Sequence, residues 1–295
     1  MTRVDFANFL TAHKAVIEVR LTSVRGSSPR DVGASMYVAP SALFGTIGGG
    51  QLEFMAIARA RAMLNDGDLS ADMDVPLGPE IGQCCGGRVE VALMRMRQAD
   101  KDQAIVQHTE DMTRLPHVYV MGAGHVGRAL ADLLEHMPVR CIMVDPRADE
   151  LALCQSAVET RLSAIPEMDI ADAPAGSAFV VLTHDHALDF LLTSAALERG
   201  DAAYVGLIGS ATKRAKFKSW CHDYCDGLTI DTLICPIGAG GSRDKRPSVI
   251  AALVVAEIIT ALTSETTAVA PVGGVVSPEL GEAIQRSQTA LKEKI

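Results

Sequence analysis

The chain has 295 residues, of which 48% are hydrophobic and only 4% aromatic, and carries a formal charge of −9. At roughly 100–200 residues per domain this length predicts two domains, each able to bury a core. The acidic balance argues against non-specific nucleic-acid binding, and the longest apolar run, residues 249–262, is interrupted by Glu257 and falls short of the roughly 20 residues of a membrane span. The first residues lack the basic head and apolar core of a signal peptide. Seven cysteines, an odd number with no Cys-x-x-Cys pair, fit reduced thiols better than a disulfide framework or a zinc ribbon. These features describe a soluble, cytoplasmic protein that spans no membrane and binds no nucleic acid.

In chain order, residues 15–22 alternate, with Ala15, Ile17, Val19 and Leu21 set against Glu18, Arg20 and Thr22, which predicts a half-buried strand. Short strands are expected near residues 36–38 and 43–47, and a helix over about 51–64. A polar linker, residues 65–72, precedes an extended region in which Val89, Val91 and Leu93 alternate with Glu90, Ala92 and Met94. This is the pattern of a small α+β domain over residues 1–98. A polar helix within residues 99–115 then reads as a linker.

From Pro116 the rhythm becomes βα. Strands are expected at 117–121, 139–145, 178–183, 204–208 and 234–237, with helices near 124–137, 186–198, 211–221 and 248–262. The last helix is apolar nearly all round and is expected to be buried. Such alternation over residues 116–264 predicts a Rossmann-like doubly wound parallel sheet. Residues 265–295 read as a tail.

Gly122-Ala123-Gly124-His125-Val126-Gly127 lies between a predicted strand and a predicted helix, the context that a phosphate-binding glycine turn requires. Gly122 suits the tight turn, Gly124 the approach of a phosphate, and Gly127 the packing of helix on strand. Asp145 ends the next strand, where an acid can bond ribose hydroxyls. Open α/β sheets bind ligands beyond the carboxyl ends of their strands, so Thr183-His184-Asp185-His186 and Gly209-Ser210 also become candidates. Lys213 and Arg214 open the helix after Ser210 and suit a phosphate or a solvated face equally well. His184, Asp185 and His186 are candidate acid–base groups, or simply polar loop residues.

The first domain holds two unusual stretches. In Cys84-Cys85-Gly86-Gly87 the thiols can ligate a soft metal, act as nucleophiles or carry sulfur, or be small residues at a tight turn. In Gly48-Gly49-Gly50-Gln51-Leu52-Glu53 the glycines, Gly49 and Gly50 above all, can form an anion-binding nest or merely let the chain turn.

Together with Gly26-Ser27-Ser28-Pro29-Arg30, Gly45-Thr46-Ile47, Val205-Gly206-Leu207-Ile208-Gly209-Ser210 and Cys235-Pro236-Ile237-Gly238, these motifs resemble the XdhC/CoxI family over roughly residues 10–262. One departure is Ser242, which stands where the family carries isoleucine. The resemblance implies a chaperone that binds the molybdenum cofactor, a pterin with a terminal phosphate and a dithiolene-bound metal. It further implies support of cofactor sulfuration with a cysteine desulfurase, insertion into apo-xanthine dehydrogenase, and a homodimer by family precedent. On that reading Gly122, Gly124, Gly127, Asp145, Ser210, Lys213, Arg214, Gly49 and Gly50 hold the cofactor, and Cys84 or Cys85 contacts sulfur or molybdenum, with Cys85 the candidate metal contact. The competing expectation is an NAD(P)-dependent oxidoreductase built on the same glycine turn. A thiol redox or sulfur-transfer enzyme centred on Cys84 and Cys85 ranks third.

Overall fold

The structure, a computed structural model, describes residues 3–79, 86–242 and 244–263. The expected site at Cys84 and Cys85 and the tail of residues 265–295 lie outside the described residues. Contacts divide the chain into two units, one ending at Leu115 and the other starting at Pro116.

The first unit contains α1 (Arg3–Ala12), β1 (Ile17–Arg25), β2 (Ser35–Val38), β3 (Leu43–Gly45), α2 (Gly50–Asp66), β4 (Ser70–Pro76), β5 (Arg88–Arg95) and α3 (Gln98–Thr113). Its five strands pair antiparallel in the order β3-β2-β1-β5-β4. The alternation in β1 and β5 decides which face is buried. Ile17, Val19, Leu21, Val89, Val91 and Leu93 point to one side and pack with Leu52, Ala56, Ala60 and Met63 of α2. Helix α2 ends where Gly67 turns left-handed (φ 86°) and donates its N–H to Met63 O at 3.0 Å.

Two elements depart from the sequence reading. Residues 70–72, read as linker, begin β4, a strand that pairs with β5 from Ser70↔Met94 to Pro76↔Arg88. The strand does alternate, with Ala71, Met73 and Val75 against Ser70, Asp72 and Asp74, but only Val75 is buried, so at this sheet edge the short polar-rich segment reads as a linker. Helix α1 was not expected at all. Its Phe6 and Leu10 join Val16 and Met96 in a small core of their own. Lys101 of α3, only 4% exposed, donates from Nζ to Leu10 O (3.3 Å), His13 O (2.6 Å) and Lys14 O (3.1 Å), so a buried cation satisfies carbonyls at the end of α1.

The second unit runs β6 (His117–Met121), α4 (His125–Leu134), β7 (Arg140–Asp145), α5 (Ala148–Ala152), β8 (Glu159–Leu162), α6 (Pro166–Ala171), β9 (Ala178–Val181), α7 (His186–Glu198), β10 (Tyr204–Leu207), α8 (Ala211–Tyr224), β11 (Leu233–Ile234) and α9 (Pro247–Thr263). All its strands pair parallel in the order β11-β10-β9-β6-β7-β8. This is the doubly wound sheet expected. One face packs Val118, Val120 and Val180 against Leu130, Leu134, Val254 and Ile258, and the other packs Tyr119, Phe179 and Leu207 against Ile170, Leu192 and Phe217. Helix α4 stops at Leu134, earlier than expected, and α5, β8 and α6 were not foreseen. Helix α9 is not buried all round: Ala251, Val254, Val255 and Ile258 are buried, whereas Ala252 and Ala256 are exposed. Alanine contributes to an apolar pattern on either face, which is why the pattern overstates burial. No described helix is long and apolar enough to cross a membrane.

Lys101→Ala would leave three carbonyls without their charged donor, so urea unfolding of the full chain is expected to show a loss of about 2–4 kcal/mol. An unchanged unfolding curve would refute the anchoring role of Lys101.

Candidate functional site

Strand order reverses between β6 and β9, and ligands of open parallel sheets bind at such a point. The glycine turn sits there. Gly122 adopts φ +131°, and a Cβ on it would lie 2.6 Å from Leu182 O, so the turn passes tightly against the loop that follows β9. A Cβ on Gly127 would lie 2.0 Å from Gly122 O, so only glycine lets α4 pack this close. Gly124 differs: a Cβ there would meet nothing within 4 Å. It is the N-cap of α4 and offers no side-chain cap, which leaves first-turn N–H groups for an anion.

Asp145 is 1% exposed, and its carboxylate is fully engaged by the protein. Oδ1 accepts from the Arg147 N–H and Nε, both at 2.9 Å, and Oδ2 accepts from Ala123 N (2.8 Å) and the Arg147 guanidinium (2.9 Å). A carboxylate has about four acceptor sites, and all are taken. Burial pushes the carboxyl upward, but the Arg147 side chain and the two backbone N–H groups outweigh it and hold the pKa below the ordinary aspartate value. The same turn is gripped from outside by Arg128, which donates to Ala123 O (2.6 Å) and pairs with Glu150 (2.7 Å).

The neighbouring loops are braced in a similar way. Asp185 is the N-cap of α7 and accepts from Ala187 N at 2.7 Å, while His184 and His186 are exposed. Asp189, also 1% exposed, accepts from the Thr183 N–H (2.9 Å) and hydroxyl (2.8 Å) and forms an ion pair with Lys213. That pair ties the loop after β9 to the start of α8. Arg214 donates to the carbonyls of Leu233 and Ile230, and Ser210 caps α8 by accepting from Lys213 N at 3.3 Å. Lys213 and Arg214 are thus committed to protein partners. Sequence reasoning overlooked Asp189, although a single acid near the start of an otherwise apolar helix was a visible signal. The five described cysteines are free. Burial pushes Cys141 up to about 12 and Cys221 up to about 11. Cys235 is raised by burial against the pull of Lys213 and Arg214, so all three stay protonated at neutral pH.

In the first unit the motif loops converge. A Cβ on Gly87 would lie 2.1 Å from Ser27 O, and one on Gly48 would lie 2.5 Å from the Pro29 ring. The residue 26–30 loop is therefore flanked by the triple glycine on one side and by Gly86-Gly87 on the other. Leu77 and the glycines close this end with paired bonds, Leu77 N to Gly87 O (2.8 Å) and Gly86 N to Leu77 O (2.9 Å). The triple-glycine nest is filled by its own chain. Glu53 Oε2 accepts from Thr46 Oγ1 (2.6 Å), Ile47 N (3.1 Å) and Gly49 N (3.1 Å). Ser28 Oγ, by contrast, is buried without a hydrogen-bond partner among the described residues.

An α+β unit with clustered glycine loops, followed by a parallel unit with an open helix N-terminus at its crevice, defines a two-unit protein with a Rossmann-type domain. Residues 118–258 match the XdhC Rossmann domain, and residues 9–70 match the XdhC and CoxI family. The chain belongs to that family. Its fold is shared with a crystal structure from Bacillus halodurans described as a xanthine dehydrogenase, with a TM-score of 0.75 and 15% identity over 92% of this chain and 98% of that one. Comparison with curated protein sequences gives no match.

Two outcomes test this geometry. Gly124→Ala should fold with unchanged stability and impair ligand binding, whereas Gly127→Ala should lose about 2 kcal/mol or more; equal effects in thermal unfolding would contradict the packing described. Because the Asp145 pKa is depressed in the folded state, its stabilisation is complete above the unfolded value of about 4 and fades as pH falls below it. The stability gap between the parent and Asp145→Asn should therefore be flat near neutrality and shrink in acid; a gap that widens in acid would reject the assignment.

Proposed function

We propose that this protein is a maturation factor that binds the molybdenum cofactor as cargo, supports its sulfuration with a cysteine desulfurase and passes it to apo-xanthine dehydrogenase. Family membership supplies the class of activity. The observation that weighs against an NAD-dependent oxidoreductase is the state of Asp145. With all four acceptor sites used by Ala123 and Arg147, that carboxylate has none left for a ribose diol. A terminal phosphate makes no such demand, and the open first turn of α4 suits it.

The residues present fit a cargo with an anionic end. Gly124, His125 and Val126 would face the phosphate from the start of α4, and Gly122 and Gly127 would hold that turn in shape. In the first unit, the Ser28 hydroxyl, without a partner among the described residues, lies in the loop beside Gly87, two residues beyond Cys85 in the chain. On this reading Cys84 or Cys85 meets the metal or the incoming sulfur, and His184 and His186 contact ligand without acid–base work. Lys213 acts by holding two crevice loops together with Asp189, in place of direct phosphate contact.

The protein purified from its host should release a fluorescent oxidised pterin on denaturation and no stoichiometric nicotinamide; stoichiometric NAD(P) would overturn the proposal. Cys84→Ser and Cys85→Ser, singly and together, should lower cofactor retention or activation of apo-xanthine dehydrogenase. Parental behaviour of all three variants would remove the thiols from the mechanism.

A further inference from the structure

The first unit has a second feature that the maturation reading does not use. The face of its sheet opposite α2 forms the floor of a cavity of about 790 Å³, walled by α3 and by Phe6 of α1. Small-molecule sites fall in this size range, roughly 300–1,000 Å³. Strand register lays Tyr37, Glu18 and Met94 side by side across β2, β1 and β5. Met94 is 54% exposed, an unusual state for a large apolar side chain in a concave floor. Phe44 and Tyr37 pack around Phe6, with ring centroids 4.9 and 4.8 Å away, and add flat surface at one end.

The polar groups around that floor are incompletely satisfied. Glu18 Oε1 receives both contacts from Arg20, at 3.1 and 2.6 Å, and Oε2 has no hydrogen-bond partner among the described residues. The ring of His108 lies 4.7 Å from Phe6, and its Nε2 is buried with no partner among the described residues. Burial lowers the His108 pKa, so the ring is neutral near pH 7, and burial first and Glu18 second push Tyr37 up to about 12, so its hydroxyl stays a donor. Arg30 reaches the cavity from the 26–30 loop and makes no ion pair among the described residues.

We propose that this cavity is a binding site for a phosphorylated amino-heterocycle, with the ring on the Tyr37–Met94 floor, its N–H donors on Glu18 and its phosphate on Arg30. A free carboxylate oxygen beside flat apolar surface matches a planar ring with adjacent N–H donors, and an unpaired guanidinium matches phosphate. Purine nucleotides and pterin phosphates share this chemistry. The site is separate from the α4 N-terminus and stands whether or not the protein carries molybdenum cofactor.

The test is titration of the full chain with neopterin monophosphate, followed by its own fluorescence, and with GMP, followed by calorimetry. Saturable binding of at least one is expected. Preference for the first assigns a pterin and preference for the second a purine nucleotide; binding supports this cavity when the variants below weaken it, and binding that they leave at parental affinity belongs to the α4 turn and overturns the proposal. Glu18→Gln should weaken the bound probe about tenfold or more. Arg30→Gln should weaken the phosphorylated probe while leaving neopterin itself unaffected. Met94→Glu, at a position 54% exposed so that folding is spared, should also weaken the probe by putting a charge under the ring. Failure of both probes to saturate at millimolar concentration, or parental affinity in all three variants with circular dichroism unchanged, would overturn the proposal.

Discussion

The carboxylate of Asp145 joins the end of β7 to the glycine turn after β6, and the crevice takes its shape from that join. Through Ala123 N it sets where the turn ends and α4 begins; through Arg147 it fixes the chain that leaves β7. Arg128 and Glu150 hold the same turn from the other side. A loop braced this way pays little to receive a ligand, because its conformation is already set. The same bonds leave that carboxylate without a spare acceptor site for a ribose hydroxyl.

The first unit uses a related device with the opposite result. Glu53 lies within its own triple-glycine turn and takes the N–H groups that an anion would need. Two glycine-rich helix starts therefore differ in availability. At α2 the chain supplies the anion itself, and at α4 the first turn stays open. Farther along the crevice, Asp189 and Lys213 apply the same principle with opposite charges, locking the loops after β9 and β10 together. Breaking one member of such a buried pair strands the other, which makes these residues structural before they are functional.

Much of the fold was legible because periodicity follows burial. The inner strands β1 and β5 alternate, and the parallel strands β6, β7, β9 and β10 are short apolar runs bounded by turns. Elements with little burial escaped: β4 is a charged edge strand, β8 has no buried residue, and α1 buries only Phe6 and Leu10 among its described side chains. At the site, residue types located the turn but not its bonding. Asp145 in a βαβ context suggests a ribose contact, and only the positions of Ala123 and Arg147 reveal that its acceptor sites are filled. Lys213 and Arg214 looked like a phosphate clamp for the same reason. Their partners, Asp189 and the carbonyls of Ile230 and Leu233, are distant in sequence or carry no side-chain signature.

Asp145 braces the turn, and its filled acceptor sites leave none for a ribose. Fluorescence titration of NADH into the purified protein tests it most directly. No saturable enhancement is expected at concentrations up to millimolar, in the parent and in Asp145→Asn alike. Saturable NADH binding by the parent that disappears in Asp145→Asn, with the variant still folded, would contradict it.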